Sequence, residues 1–294
     1  MGRHLQLFFG GGLGDVIYHV YEGGKYLLLE QMDVDDRATV YLSCSNPFAR
    51  EIFDYHPKAT QIEVRNHHWW PWEVDEEMRA KYQIPQRWEI PIYEGVHGET
   101  NFRHSPTDQE KLDLLEGKPY IVIAATAGTP DRSIPLPMVS MLVQDLTDLG
   151  YWTVLVGRTY ERQGRNEIRL GSESLKEKPH TWDLVDKLTV PGTINLVKKA
   201  QGLVTAHSAL VMLTNLIRPQ PETLLLTTHA VYQRHLLPRD RWGEIIYSER
   251  TTFAASEEPY HDSERKVLTY LEKMWRHYVL LGGPPKFKYR FPES

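Results

Sequence analysis

Short apolar runs, each bounded by glycine, proline or polar residues, recur along this chain, and longer amphipathic stretches separate them. Leu5 to Phe9 is short enough for a buried strand. It runs into Gly10-Gly11-Gly12-Leu13-Gly14 and then Asp15. Those glycines predict a tight turn with room for a ligand close to the backbone. A helix is expected over Val16 to Glu30, with Gly23 and Gly24 inside it. Ala38 to Ser43 predicts a second strand, Asn46 to Tyr55 a second helix with Pro47 in its first turn, and Thr60 to Val64 a third strand. Strand and helix alternating at this spacing predict βαβ units on a parallel sheet.

The pattern breaks at Asn66-His67-His68-Trp69-Trp70-Pro71-Trp72. The segment from 66 to 106, rich in aromatics, prolines and charges, reads as loops and short helices decorating the first domain. Its aromatics suit either a platform for a sugar face or a base or a satellite core under a long loop. Thr107 to Glu116 is a polar helix, and Gly117-Lys118-Pro119 reads as a hinge. The alternation then restarts. Tyr120 to Ala125 predicts a strand, followed by the small-residue loop Thr126-Ala127-Gly128-Thr129-Pro130-Asp131-Arg132-Ser133. A helix over Pro137 to Leu149 stops at Gly150, and a strand over Trp152 to Val156 closes at Gly157. A helix over Thr193 to Ala200, a strand over Leu203 to Thr205, the turn Ala206-His207-Ser208-Ala209, a helix over Leu210 to Ile217 and a strand over Thr223 to Leu226 complete the series. Ser263 to Leu281 keeps apolar residues at helical spacing. Two successive α/β halves follow, over 1–118 and 119–294.

Composition narrows the class. A chain of 294 residues is comfortable for two domains. Its net charge of −5, with both signs mixed along the chain, argues against a broad nucleic-acid surface. One cysteine, Cys44, excludes an intrachain disulfide and fits a reducing compartment. With no apolar run of spanning length and no signal-peptide pattern at the start, the expectation is a cytoplasmic protein.

The glycine turn carries chemistry of its own. A helix starting there directs its free N–H groups at a ligand, and Asp15 supplies one ionisable side chain. The dinucleotide fingerprint is not satisfied, because Asp15 stands where its last glycine belongs, and no Lys-Ser/Thr pair completes a phosphate-binding loop of the Walker kind. His67 and His68 are adjacent, so on a strand they face opposite ways, and no Cys or acid pattern completes a metal site around them.

In order, Gly-Leu-Gly-Asp-Val-Ile at 12–17, the loop with Arg132, the strand Val154-Leu155-Val156-Gly157, the segment Asp183 to Ala200 and Val204-Thr205-Ala206-His207-Ser208 resemble glycosyltransferase family nine, the heptosyltransferases and their relatives. The resemblance covers Leu5 to Ile17 and Tyr120 to Thr228. It implies the GT-B fold, two doubly wound Rossmann-like α/β domains facing across a cleft. The donor nucleotide-sugar then binds mainly the C-terminal domain, the acceptor the N-terminal one, and the C-terminal helix crosses back to the first domain. It also implies inverting transfer without a metal and with no cofactor beyond the nucleotide-sugar co-substrate. Asp15 matches the family's acid, a base on the acceptor hydroxyl, and Gly12 and Gly14 match the turn around it. Arg132 falls where the family has a lysine, so its cation would balance the diphosphate. Thr126 and Thr129 share that loop. Ser208 matches the hydroxyl residue set against the donor phosphates, with His207 and Ala209 flanking it and Asp186 near the nucleoside. Trp69, Trp70 and Trp72 are the candidate acceptor surface.

The chain also departs from the family pattern. His207 stands at the family's Asp, Ala209 at its Gly and Met212 at its usual His. That leaves the donor sugar open. A saccharide acceptor is the family default. A hydroxymethylated base in DNA is the alternative, for which Arg158, Arg162, Arg165 and Arg169 offer a basic face. A non-catalytic protein that holds a nucleotide-sugar or glycan is the reading from outside the enzymes.

Overall fold

The computed structural model describes residues 2–14, 16, 25–44, 47–66, 76–77, 80, 105–127, 133–134, 136–157, 178–213, 221–228 and 251–256. Trp69, Trp70, Trp72, the four arginines of 158–169 and the helix expected over Ser263 to Leu281 lie outside them. The chain divides into two compact units, 1–106 with 189–192, and 107–188 with 193–294.

The first unit is built on β1 (His4–Gly11), β2 (Arg37–Cys44) and β3 (Ile62–Asn66), all parallel and in the order β1-β2-β3. Leu7 pairs with Val40, and Val40 with Val64. Leu7, Phe9, Val40 and Leu42 are buried, as are Leu29 on α1 (Lys25–Glu30) and Ile52 and Phe53 on α2 (Glu51–Asp54). The Phe9 and Phe53 rings lie tilted with centroids 5.1 Å apart, a contact that ties strand to helix. The single helix expected over Asn46 to Tyr55 is instead a 3-10 turn, Pro47–Arg50, followed by α2. A further 3-10 turn at Ala59–Gln61 delays β3 by two residues.

Asp36 ties the entry of β2 to that of β1. Its buried carboxylate accepts from the Arg3 backbone N–H (2.6 Å), Arg3 Nε (3.1 Å), Arg3 Nη2 (2.7 Å) and the Asp33 N–H (2.9 Å). The Arg3 guanidinium and those backbone donors hold the Asp36 carboxyl far below the usual carboxylate range. Asp36→Asn removes the charge and turns one acceptor oxygen into a donor facing donors. Calorimetry is expected to show a lower Tm for Asp36→Asn at pH 7. An unchanged Tm would show that these bonds add nothing net.

The second unit carries β4 (Tyr120–Ala124), β5 (Trp152–Leu155), β6 (Thr181–Asp183), β7 (Gly202–Ala206), β8 (Glu222–Thr228) and β9 (Thr251–Ser256). All pairings are parallel, in the order β6-β5-β4-β7-β8-β9. Every residue of β7 is buried, as a strand covered on both faces requires. On α4 (Leu136–Asp148), after α3 (Pro106–Asp113), Met138, Val139, Leu142, Val143 and Leu146 are buried at helical spacing. They pack into one core with Ile123, Leu155, Val204, Leu224 and Leu226. Gly150 ends that helix at φ +83°, with Tyr151 N–H on the Leu146 carbonyl (3.0 Å), a glycine stop of the left-handed kind. With Pro191 in its first turn, α5 (Val190–Lys199) begins three residues before the Thr193 start expected from sequence. The short α6 spans Ala209–Leu213. None of the described helices is long and apolar enough to cross a membrane.

Candidate functional site

The strand order of the second unit fixes where a ligand belongs. Counted along the chain, β4 to β9 lie in the order 3-2-1-4-5-6, in which ligands sit outside the carboxyl ends of the strands where the order reverses. Here the reversal lies between β4 and β7. Their register, Ala124 opposite Thr205, brings the segment after β4 beside the one after β7. Those segments are Ala125-Thr126-Ala127 and His207-Ser208, which sequence reading places at the donor. Thr126, His207, Ser208 and Ala209 are all half-buried. Thr129 and Arg132 lie outside the described residues.

The loop after β4 is held by one backbone bond and one side-chain hydroxyl. The Ala125 carbonyl accepts from the Ile134 N–H (2.8 Å), and the Ala127 N–H donates to Ser133 Oγ (3.0 Å). Thr126, between them, makes no side-chain hydrogen bond to any described residue. After β7, Thr205 Oγ1 donates to the Ala206 carbonyl (2.9 Å) and lies 3.4 Å from Ser208 Oγ. A carbonyl only accepts, so the single Thr205 proton is used there and Ser208 is the donor in the second contact. Ser208 must rotate its proton off Thr205 to donate to a phosphate oxygen.

Asp186 follows β6 on the same edge of the sheet. The Val185 N–H donates to Asp183 Oδ1 (3.1 Å), the Lys187 N–H to the Leu184 carbonyl (3.1 Å), and Asp186 itself takes φ +60°. The left-handed region is uncommon for residues other than glycine, with Asp and Asn the usual exceptions. The Asp186 N–H donates to the Gly157 carbonyl (3.0 Å), so the turn is anchored to the end of β5. Sequence reading saw Gly157 only as the close of a strand. A Cβ built on it would lie 2.6 Å from Thr126 Oγ1.

In the first unit β1 runs on through Gly10 and Gly11, paired with Ser43 and Cys44, so the turn expected over Gly10 to Gly14 begins only at Gly12. The Val16 N–H donates to the Gly12 carbonyl (3.0 Å), which closes a first helical turn. Gly12 and Gly14 are half-buried, and Asp15 lies outside the described residues. Among the described residues no group of three or more His, Cys, Asp or Glu side chains is placed to hold a metal ion.

Two units with parallel sheets, the second with its strand order reversed between β4 and β7, define the class: this is the GT-B fold. No protein-family model and no curated protein matches the sequence. Solved structures match almost end to end. The E. coli ADP-heptose lipopolysaccharide heptosyltransferase II is similar at TM-score 0.55 and 12% identity, over 94% of this chain and 99% of that one. A glycosyltransferase of family nine from Veillonella parvula is similar at TM-score 0.57 and 11% identity, over 95% and 97%. The E. coli heptosyltransferase WaaC, solved with ADP, is similar at TM-score 0.52 and 10% identity, over 93% and 99%. At these identities the likeness is one of fold.

Proposed function

We propose that this chain is an inverting, metal-independent glycosyltransferase that moves a sugar from a nucleotide-sugar to an acceptor hydroxyl, of a saccharide in the first instance. The observation that carries the reading is the reversal point between β4 and β7, which presents two hydroxyl residues, Thr126 and Ser208, on a fold shared with heptosyltransferases. In this reading the second unit takes the donor. Thr126, Thr129, Ser208 and the N–H groups opening α6 face the diphosphate, with His207 and Ala209 beside it and Asp186 toward the nucleoside. The first unit takes the acceptor, with Gly12 and Gly14 shaping the turn and Trp69, Trp70 and Trp72 available to stack on a sugar. A single cysteine suits a reducing compartment, which supports reading the reaction as cytoplasmic.

The chemistry then has one proton and one leaving group to manage. Asp15 accepts the proton of the acceptor hydroxyl as its oxygen bonds to the anomeric carbon. The bond from that carbon to the diphosphate oxygen breaks on the opposite face, and the nucleoside diphosphate leaves with the electron pair. Arg132 and the donors of the second unit stabilise the charge that develops there. Arginine offers the phosphates a planar fork that lysine lacks.

Isothermal titration with ADP, GDP, UDP and CDP tests the reading. One of them is expected to bind and to raise the melting temperature of the protein. Absence of binding by all four at millimolar concentration would overturn the donor assignment. The departures at His207, Ala209 and Met212 favour a second reading, a binding protein without transfer. Tight diphosphate binding with neither donor hydrolysis nor transfer to any acceptor distinguishes it.

A further inference from the structure

Gly157 lies two residues past the end of β5, a strand away from the reversal point, and no feature of the sequence gives it a role beyond ending that strand. Its surroundings do. The Val156 N–H donates to the Ile123 carbonyl (3.0 Å), and the Gly157 carbonyl accepts from the Asp186 N–H (3.0 Å). The backbone on either side of the Gly157 Cα is thus held, from β4 before it and from the turn after β6 beyond it. Its φ is +149°, a region that side chains with a Cβ rarely enter. On the other side, the Thr126 backbone is pinned by the bonds of Ala125 to Ile134 (2.8 Å) and of Ala127 to Ser133 (3.0 Å).

Two fixed backbones therefore meet through one small gap. A Cβ at position 157 would lie 2.6 Å from Thr126 Oγ1 and 3.8 Å from Thr126 Cβ, so the hydroxyl alone is in collision. With both backbones held, the strain resolves by rotation of Thr126 about χ1, which carries the oxygen elsewhere. We infer that Gly157 is a positioning residue: its missing side chain is the space in which the Thr126 hydroxyl is held at the carboxyl end of β4, ready to donate to the donor diphosphate. This rests on the nucleotide-sugar reading above for the identity of the ligand, but not for the geometry.

A double-mutant cycle tests it. The probe is whichever of ADP, GDP, UDP and CDP the wild-type protein binds, titrated at a temperature where every variant is folded. Gly157→Ala is expected to weaken that affinity about tenfold or more, the effect of losing one hydrogen bond to a charged oxygen. Thr126→Ala is expected to do the same, and Thr126→Ser to stay near wild type. In the Thr126→Ala background, Gly157→Ala is expected to add nothing. Wild-type affinity in folded Gly157→Ala, or equal losses with and without the Thr126 hydroxyl, would overturn the inference. Should Gly157→Ala not fold, recovery of folding in the double variant supports the collision with the hydroxyl, and failure of both overturns it. Should the wild type bind none of the four nucleotides, the donor reading falls by itself. The positioning is then read from the Thr126 Hα–Hβ coupling by NMR: a χ1 change in Gly157→Ala supports it, and an unchanged rotamer does not.

Discussion

Asp15→Asn is expected to lower kcat by about 10²- to 10⁴-fold, the range spanned by loss of a positioned general base. Asparagine keeps the size and polarity of the side chain but takes up no proton at neutral pH. An alcohol attacking the anomeric carbon must then lose its proton to solvent, after rather than during bond formation. The donor diphosphate is proposed to bind the other unit, so its affinity is expected to stay within about threefold of wild type, well under the 1.4 kcal/mol that a tenfold change represents. Initial rates at saturating donor and acceptor, with titration of the diphosphate on the same protein, check both halves. Full turnover by Asp15→Asn would remove Asp15 from the chemistry. Lost diphosphate binding would mean that Asp15 serves the donor instead.

A second large effect is expected from acid. His56 is buried at 2% exposure, and its Nδ1 accepts the Lys58 N–H (3.1 Å). That bond requires the neutral imidazole with its proton on the other nitrogen. Burial, with the nearby Lys58 charge, lowers the His56 pKa from 6.5 to about 4. The unfolded chain therefore takes up a proton first as pH falls. Stability from the neutral ring is complete above about pH 6.5 and is lost between there and about pH 4, the two values that bound the shift. At 1.36 kcal/mol per unit the loss approaches about 3 kcal/mol. Asp36 acts in a separate window. Its carboxyl is held far below the ordinary value of 3.8, so its contribution is complete above that value and falls only under stronger acid. Hydrogen exchange of the β1 and β2 amides at pH 7, 5.5 and 4.5 reads the first unit alone. His56→Asn retains an acceptor for the Lys58 N–H and does not titrate, so its protection is expected to vary much less over that range. An equal decline in both proteins would place the acid sensitivity elsewhere.

Much of the architecture was legible from residue patterns. Apolar runs such as Leu5 to Phe9 and Tyr120 to Ala125 have the length of buried strands, and α4 shows its apolar positions at helical spacing. Gly150 marked a helix end because its left-handed φ is one that glycine alone takes freely. β6 and β9 were missed for local reasons. Thr181-Trp182-Asp183 is three residues long and all half-buried, and Thr251–Ser256 mixes hydroxyl and small residues with one phenylalanine. Neither is an apolar run, and each becomes a strand only by pairing with β5 or β8. The 3-10 turn before α2 and the early start of α5 shift element ends by a few residues, where hydrogen bonding at the ends outweighs propensity.

The candidate site divides along the same line. The chain by itself determined that a glycine turn follows β1, and that small and hydroxyl residues follow the strands now labelled β4 and β7, because local backbone freedom and short-range patterns are written in neighbouring residues. The order of the strands is not written there, since parallel pairing joins segments distant in sequence. Only the tertiary structure decided that β4 and β7 are neighbours at a reversal, which puts Thr126 and Ser208 on adjacent strand ends. It likewise decided that the Thr205 proton goes to the Ala206 carbonyl, which turns Ser208 into a donor, and that Gly157 lies against Thr126. Such contacts depend on ångström-scale distances between separately folded segments, a quantity that composition and periodicity do not carry.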